Sequence, residues 1–145
     1  MKRFRRLIFE FSLLIAAPAA VQAQAPAARP VRPHVEPDGK WVGHNSGPND
    51  PRYHVDRPWP YGHFRRPIGP DHPYQLYGFE PARHRFLAAN AYFLIAAADL
   101  SYCDDWDWNA DDVIFYPDTD HQGWDLAYNV RLGTFCHVQY EGPVL

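Results

Sequence analysis

The sequence predicts an all-β fold, a small antiparallel meander of about six or seven short strands that forms a barrel or a sandwich. Short apolar or alternating runs follow Pro73, and a turn signal separates each run from the next. The last run alternates, with Cys136 and Val138 on one face and His137 on the other. Such a period of two is typical of a strand that buries one face.

The chain before these strands divides into three segments. Residues 1–23 combine basic residues, an apolar run and a small-residue ending, the pattern of a secretory signal peptide. Residues 24–40 are rich in proline and alanine and contain no aromatic residue, so we expect a disordered arm. In residues 41–73 proline and glycine interrupt every run, which predicts an irregular segment with its aromatic side chains packed on the core. Residues 74–145 form the predicted β domain.

Seven runs within residues 74–145 are candidate strands. They are residues 74–79, 83–88, 91–96, 100–108, 112–116, 124–130 and 134–140. The alanine-rich residues 86–100 also allow a helix, because they show no clear period of two, although the regular turn signals favour strands. In residues 105–108 Asp and Trp alternate, which predicts a strand with indoles on one face and carboxylates on the other.

Charge is distributed unevenly along the chain. Residues 24–90 carry nine Lys and Arg against six Asp and Glu, whereas residues 91–145 carry one basic residue against ten acidic ones. We therefore expect the two halves to attract each other, and we do not expect nucleic acid or an anionic membrane surface as a partner. Beyond the signal peptide no apolar run is long enough for a transmembrane segment.

Export bears on the two cysteines and on the location of the protein. A signal peptide predicts a periplasmic or secreted protein, and an oxidising compartment favours a disulfide between Cys103 and Cys136. The alternative is a pair of buried thiols that pack as small hydrophobic side chains.

The stretch from His121 to Thr134 reads His-x-Gly-Trp-x-Leu-Ala-Tyr-Asn-x-Arg-Leu-Gly-Thr. With residues 50–64 upstream, it resembles a loosely defined set of small exported bacterial proteins of unknown function. The resemblance covers most of the chain after about Gly43. It implies an exported domain, and it brings no activity, ligand or catalytic residue.

An acidic loop offers a candidate calcium site at Asp118, Asp120, Gln122 and Asp125. The spacing Asp-x-Asp-x-Gln-Gly follows the start of an EF-hand loop, but Asn129 stands where the bidentate glutamate belongs. The alternative is a hairpin turn in which aspartates bind nearby amides.

Histidines offer a second metal chemistry, because imidazole is the usual ligand of zinc, copper and nickel. The eight are His34, His44, His54, His63, His72, His84, His121 and His137. No two of them have the close spacing of a site built on one element.

Aromatic and acidic residues form a candidate ligand surface. Its members are Trp106, Trp108, Trp124, Tyr128, Asp105 and Asp107. Flat rings stack on sugars and carboxylates accept hydroxyl protons, so envelope polysaccharide or a basic protein partner fits. The alternative is that the acidic half pairs with the chain's own arginines.

No catalytic constellation is recognisable, so an enzyme is not expected. The sequence predicts an exported, non-catalytic binding or structural module of the cell envelope. The alternative is a periplasmic protein that binds a divalent metal, either calcium through the acidic loop or a transition metal through histidines. Calcium is the one cofactor that the sequence suggests.

Overall fold

The computed structural model describes residues 31–145, whose main body is a closed barrel of six antiparallel strands. A separate two-stranded sheet pairs β1 (His34–Val35) with β2 (Trp41–Val42). The barrel consists of β3 (Pro73–Glu80), β4 (Arg85–Ala88), β5 (Ala91–Ile95), β6 (Asp112–Pro117), β7 (Asp125–Asn129) and β8 (Phe135–Pro143). The predicted all-β fold is confirmed, and residues 31–145 hold no helix that is long and apolar enough to cross a bilayer.

Two three-stranded meanders, β3–β4–β5 and β6–β7–β8, make up the barrel. The barrel closes because β5 pairs with β8 and β3 pairs with β6. A single meander would instead pair β5 with β6. The connection between those two strands holds a 3-10 helix, Ala97–Tyr102, and supplies Cys103 and Trp106 to the core.

The barrel interior is filled by alternate residues of the strands. Three stacked phenylalanines form its centre: Phe93 lies 4.2 Å from Phe115 and 5.6 Å from Phe86, measured between ring centroids. All three rings are fully buried, and burial of one such ring stabilises the fold by about 1.5–3 kcal/mol. In β8, Cys136 and Val138 join this core, so its other face, with His137, lies outside the barrel.

Part of the predicted disordered arm forms regular structure. Residues 31–40 belong to the predicted disordered arm, yet β1 lies against the start of β8. The Phe135 N–H donates to the Pro33 carbonyl (3.2 Å) and the Val35 N–H to the Gly133 carbonyl (2.9 Å). Backbone hydrogen bonds thus order a segment that has little apolar surface of its own. The predicted signal peptide, residues 1–23, and residues 24–30 lie outside the described residues.

The segment between β2 and β3 packs on the outside of the barrel. It contains a 3-10 helix, Pro51–Tyr53, whose N-terminus is capped by Asp50. The ring of Tyr53 stacks on His137 with 3.7 Å between centroids, and Trp41 of β2 packs edge-on against Phe135 at 4.7 Å. This segment, residues 43–72, therefore covers the outward face of β8, and we call it the covering segment.

Two local predictions need correction or refinement. Residues 105–108 form turns and not a strand, because the Asp111 carboxylate accepts the Asp107 N–H (2.8 Å) and so competes with strand pairing. The alanine-rich residues 86–100 form the β4–β5 hairpin and then enter the 3-10 helix. Ala89 and Asn90 both have positive φ (51° and 61°), as a two-residue hairpin turn requires.

The predicted disulfide is wrong, because Cys103 and Cys136 are both free and buried. The Cys103 thiol lies 3.7 Å from the Asp99 carbonyl and donates to it. Burial raises the pKa of the Cys136 thiol well above its usual value, so this group stays protonated and unreactive. The two cysteines pack as small core side chains.

Candidate metal centre

Three histidines and one aspartate converge between the barrel and the segment that covers it. They are His44, Asp118, His121 and His137, and each offers a ligand atom within 4.8 Å of the others. His44 comes from the covering segment, Asp118 and His121 from the β6–β7 turn, and His137 from the outward face of β8. The fold thus gathers residues up to 93 positions apart in sequence.

The turn between β6 and β7 holds two of these side chains in place. One carboxylate oxygen of Asp118 accepts the backbone N–H groups of Asp120 (3.0 Å) and His121 (3.2 Å). Gly123 completes the turn with a φ of 88°, and a Cβ there would lie 3.0 Å from Pro58. A glycine is required at this position for both reasons. The turn interpretation of the loop is therefore confirmed.

Asp118 lies at the centre of the cluster. Its oxygens lie 3.2 Å from His44 Nε2, 2.6 Å from His121 Nδ1 and 3.4 Å from His137 Nε2. Ligands at about 2.0–2.1 Å in a tetrahedral zinc site lie about 3.3 Å from one another. Two of the three distances match that spacing, and the third differs from it by less than an ångström.

His137 is oriented by a chain of hydrogen bonds on the side away from Asp118. Its Nδ1–H donates to Asp99 Oδ2 (2.6 Å), which also accepts the His137 backbone N–H (2.7 Å). The other Asp99 oxygen accepts the Tyr53 hydroxyl (2.8 Å). A proton on Nδ1 leaves a lone pair on Nε2, which faces the cluster. That nitrogen is buried and has no hydrogen-bond partner within the described residues.

Each of the other two histidines also has an oxygen atom close to the ring nitrogen that faces away from Asp118. His121 Nε2 donates to the Gly47 carbonyl (2.9 Å) and lies 3.1 Å from the Ser46 hydroxyl. His44 Nδ1 lies 3.6 Å from an Asp120 oxygen. An oxygen partner on the far nitrogen is the usual arrangement around metal-binding histidines, because it fixes the tautomer and the ring orientation.

Hydrogen bonds within the cluster favour the charged forms of His44 and Asp118. The hydrogen bond to Asp118 raises the pKa of His44, against the opposing effect of partial burial. Burial alone would raise the pKa of Asp118, but hydrogen bonds from His44 and His121 lower it below its usual value. In His121 both ring nitrogens face acceptor oxygens, those of Asp118 and Gly47. A metal ion would replace the protons that now bridge these groups.

The predicted calcium ligands do not form one site. Asp118 belongs to the histidine cluster, Asp120 lies beside His44, and Gln122 is exposed. Asp125 contributes no ligand atom to the cluster, and burial, together with the nearby charge of Asp118, raises its pKa to about 6. The turn amides and two histidines use the Asp118 oxygens, and calcium binding by these four residues stays a prediction.

The rings of the predicted aromatic ligand surface are buried or half-buried by packing within the protein, and ligand binding there stays a prediction. Trp106 and Trp124 are buried, and Trp108 stacks on Phe79 at 4.5 Å. Tyr128 is half-buried and packs edge-on against Trp41, 6.0 Å away. Of the two acids, Asp105 pairs with Arg32, and Asp107 caps a turn through the Asn109 N–H (3.1 Å).

Internal pairing accounts for part of the uneven charge. Arg85 binds Glu141 (3.5 Å) across the two halves, and Arg131 binds Asp111 within the acidic half. Together with the Arg32–Asp105 pair, these contacts fit the alternative that the acidic half binds the chain's own arginines.

The three cluster histidines belong to the predicted set of eight, whereas Asp99 and Tyr53 were not among the predicted site residues. Two signals were present: His121 follows Asp118 by three residues within one turn, and His137 is the polar residue on the outer face of an alternating strand. His44 gave no signal of its own. No protein-family model matches the chain, and the searches found neither a curated protein nor a solved structure that is similar to it.

Proposed function

We propose that the protein is a non-catalytic module that binds one divalent transition metal ion, with Zn²⁺ as the best fit. The ligands are His44 Nε2, His121 Nδ1, His137 Nε2 and a carboxylate oxygen of Asp118. Three imidazole nitrogens favour zinc, copper or nickel over calcium, which takes oxygen ligands. A compact set of three nitrogens and one oxygen fits the tetrahedral preference of zinc.

The observation that carries this proposal is the unpartnered Nε2 of His137. The side chain is only 2% exposed, and Asp99 fixes its proton on the opposite nitrogen. Leaving a buried nitrogen lone pair without a partner costs about 1–3 kcal/mol. A cation between His137 and Asp118 would remove that cost, and the Tyr53–Asp99–His137 chain matches the outer contacts typical of metal sites.

The burial of the ligands favours a structural ion over a catalytic one. Asp118, His121 and His137 are almost fully buried, and His44 is 16% exposed. Four protein ligands in a closed pocket leave no open position for a substrate, as in structural zinc sites. Because His44 belongs to the covering segment, the ion would fasten that segment to the barrel.

The signal-peptide pattern supports the wider proposal of a periplasmic or secreted module of the cell envelope. In such a compartment the metal would stabilise the covered face of β8. Binding energy of this kind becomes folding energy, because the unfolded chain holds no preformed site.

Native mass spectrometry with stoichiometric zinc tests the proposal directly. We expect one ion per chain, lost on addition of chelator, and copper or nickel bound in competition with it. His137→Gln abolishes loading, whereas His54→Gln, at a site 73% exposed, keeps it. Equal loading of both variants would refute the assignment of the ligands. Calcium binding with no zinc binding would refute the assignment of a transition-metal site.

A further inference from the structure

A second site lies on the barrel surface around the β4–β5 hairpin. Two cavities of about 370 and 390 Å³ meet there and share Arg66, Ala89 and Asn90 as lining residues. Each volume is within the range of about 300–1,000 Å³ that is typical of small-molecule sites. The two cavities together form one groove, which we call the Arg66 groove. None of its lining residues is a ligand in the proposed metal centre.

The groove is positively charged on an otherwise acidic protein. Arg65 and Arg66 line it, both are exposed, and neither forms an ion pair within residues 31–145. No acidic residue lines either cavity. Most other arginines of the described chain have carboxylate partners, so the two in this groove are free to bind an external anion.

Exposed aromatic rings flank the arginines. Tyr61 lines one cavity and is 61% exposed, and Tyr77 lines the other and is 62% exposed. The faces of such rings pack on flat apolar surfaces, and their hydroxyl groups stay in contact with water. The side chain of Asn90, also exposed, adds both a donor and an acceptor at the junction of the cavities.

We propose that the Arg66 groove binds an acidic polysaccharide whose sugar units carry carboxylates. Guanidinium groups of Arg65 and Arg66 pair with carboxylates in bidentate geometry. Tyr61 and Tyr77 stack on the sugar rings on either side, and two joined cavities suit consecutive units of a chain. The complementarity of charge favours a polyanion over a neutral glycan, since the groove offers two cations and no anion.

Isothermal titration calorimetry with a galacturonic acid tetramer tests this binding. We expect binding in 50 mM salt that weakens at 500 mM salt, because screening reduces the charge term. Arg66→Gln should lower the affinity about tenfold or more, the loss expected for a charged hydrogen-bonding partner. Tyr61→Ala should lower it as well. Arg57→Gln, which removes an exposed arginine outside the groove, is the matched control and leaves the affinity unchanged.

Two further probes separate the sugar from its charge. A neutral glucose tetramer of equal length and a glutamate tetramer should both bind at least tenfold more weakly than the acidic sugar. Equal binding of the glutamate tetramer would overturn the polysaccharide assignment in favour of an acidic peptide. Absence of binding by the acidic tetramer would refute the assignment of the groove as a binding site. A loss of affinity in Arg57→Gln equal to that in Arg66→Gln would refute it as well.

Discussion

Replacing His44 with glutamine removes one proposed zinc ligand and leaves most of the fold unchanged. The imidazole is partly exposed and lies in the covering segment, outside the barrel core. Its loss should therefore matter chiefly when zinc is present. His54→Gln is the matched control, because the same exchange is made ten residues later in the same segment at an exposed histidine.

The size of the effect follows from mass action. At free zinc about 1,000-fold above its dissociation constant, binding stabilises the native state by about 4 kcal/mol. Loss of an outer contact lowers metal affinity about 10–100-fold, and loss of a ligand costs at least as much. A 100-fold loss leaves about 1.4 kcal/mol at the same free zinc. For about 115 folded residues, 1 kcal/mol corresponds to about 4 °C in Tm.

Thermal unfolding followed by circular dichroism, with zinc buffered at one free concentration, measures this difference. We expect zinc to raise Tm by about 16 °C in the unmodified protein and in His54→Gln, and by about 6 °C in His44→Gln. With chelator all three proteins should unfold within a few degrees of one another. A zinc effect of equal size in His44→Gln and the unmodified protein would refute the role of His44 as a ligand.

Three other outcomes follow from contacts around the cluster and in the core. Asp99→Asn should weaken zinc binding about 10–100-fold, measured by competition with a chromophoric chelator, because it no longer holds the proton of His137 on Nδ1; unchanged affinity would contradict this role. Burial raises the pKa of Asp125 to about 6 from 3.8, so the folded state binds its proton more tightly and stability falls as pH rises through that window. Asp125→Asn should therefore stabilise the protein by up to about 3 kcal/mol at pH 8 and by little at pH 4, measured by urea unfolding, and an equal gain at both pH values would count against the charge. A thiol reagent should modify Cys103 and Cys136 only after the protein is unfolded in denaturant, and no reductant should be needed. If a reductant is needed, the two cysteines form a disulfide and this prediction is wrong.

Local patterns in the sequence determined the strands. Turn residues at regular spacing and side-chain alternation predicted six of the strand positions, because these signals act within a few residues. The same reasoning failed at residues 105–108, where Asp and Trp alternate as in a strand. There the carboxylates of Asp107 and Asp111 bind backbone amides and produce turns. Alternation alone does not distinguish a strand from such turns.

Residue types in the sequence indicated metal-binding side chains but not which of them lie together. Histidine as a transition-metal ligand and Asp118 as a metal ligand were both present as candidates, in two separate hypotheses. The tertiary structure joins them, because the covering segment packs on the outward face of β8, where Tyr53 stacks on His137. His44 and His137 then stack at 5.4 Å although 92 residues separate them.

The disulfide and the aromatic surface show what only the tertiary structure decided. Cysteines and tryptophans serve equally well as core residues and as functional groups, so their identity does not set their environment. The closed barrel has one interior, and it takes Cys103, Cys136 and Trp106. At the Arg66 groove the surface charge is basic, because Arg65 and Arg66 have no carboxylate partner within residues 31–145. Burial and ion pairing depend on contacts between distant residues, and only the folded chain sets those contacts.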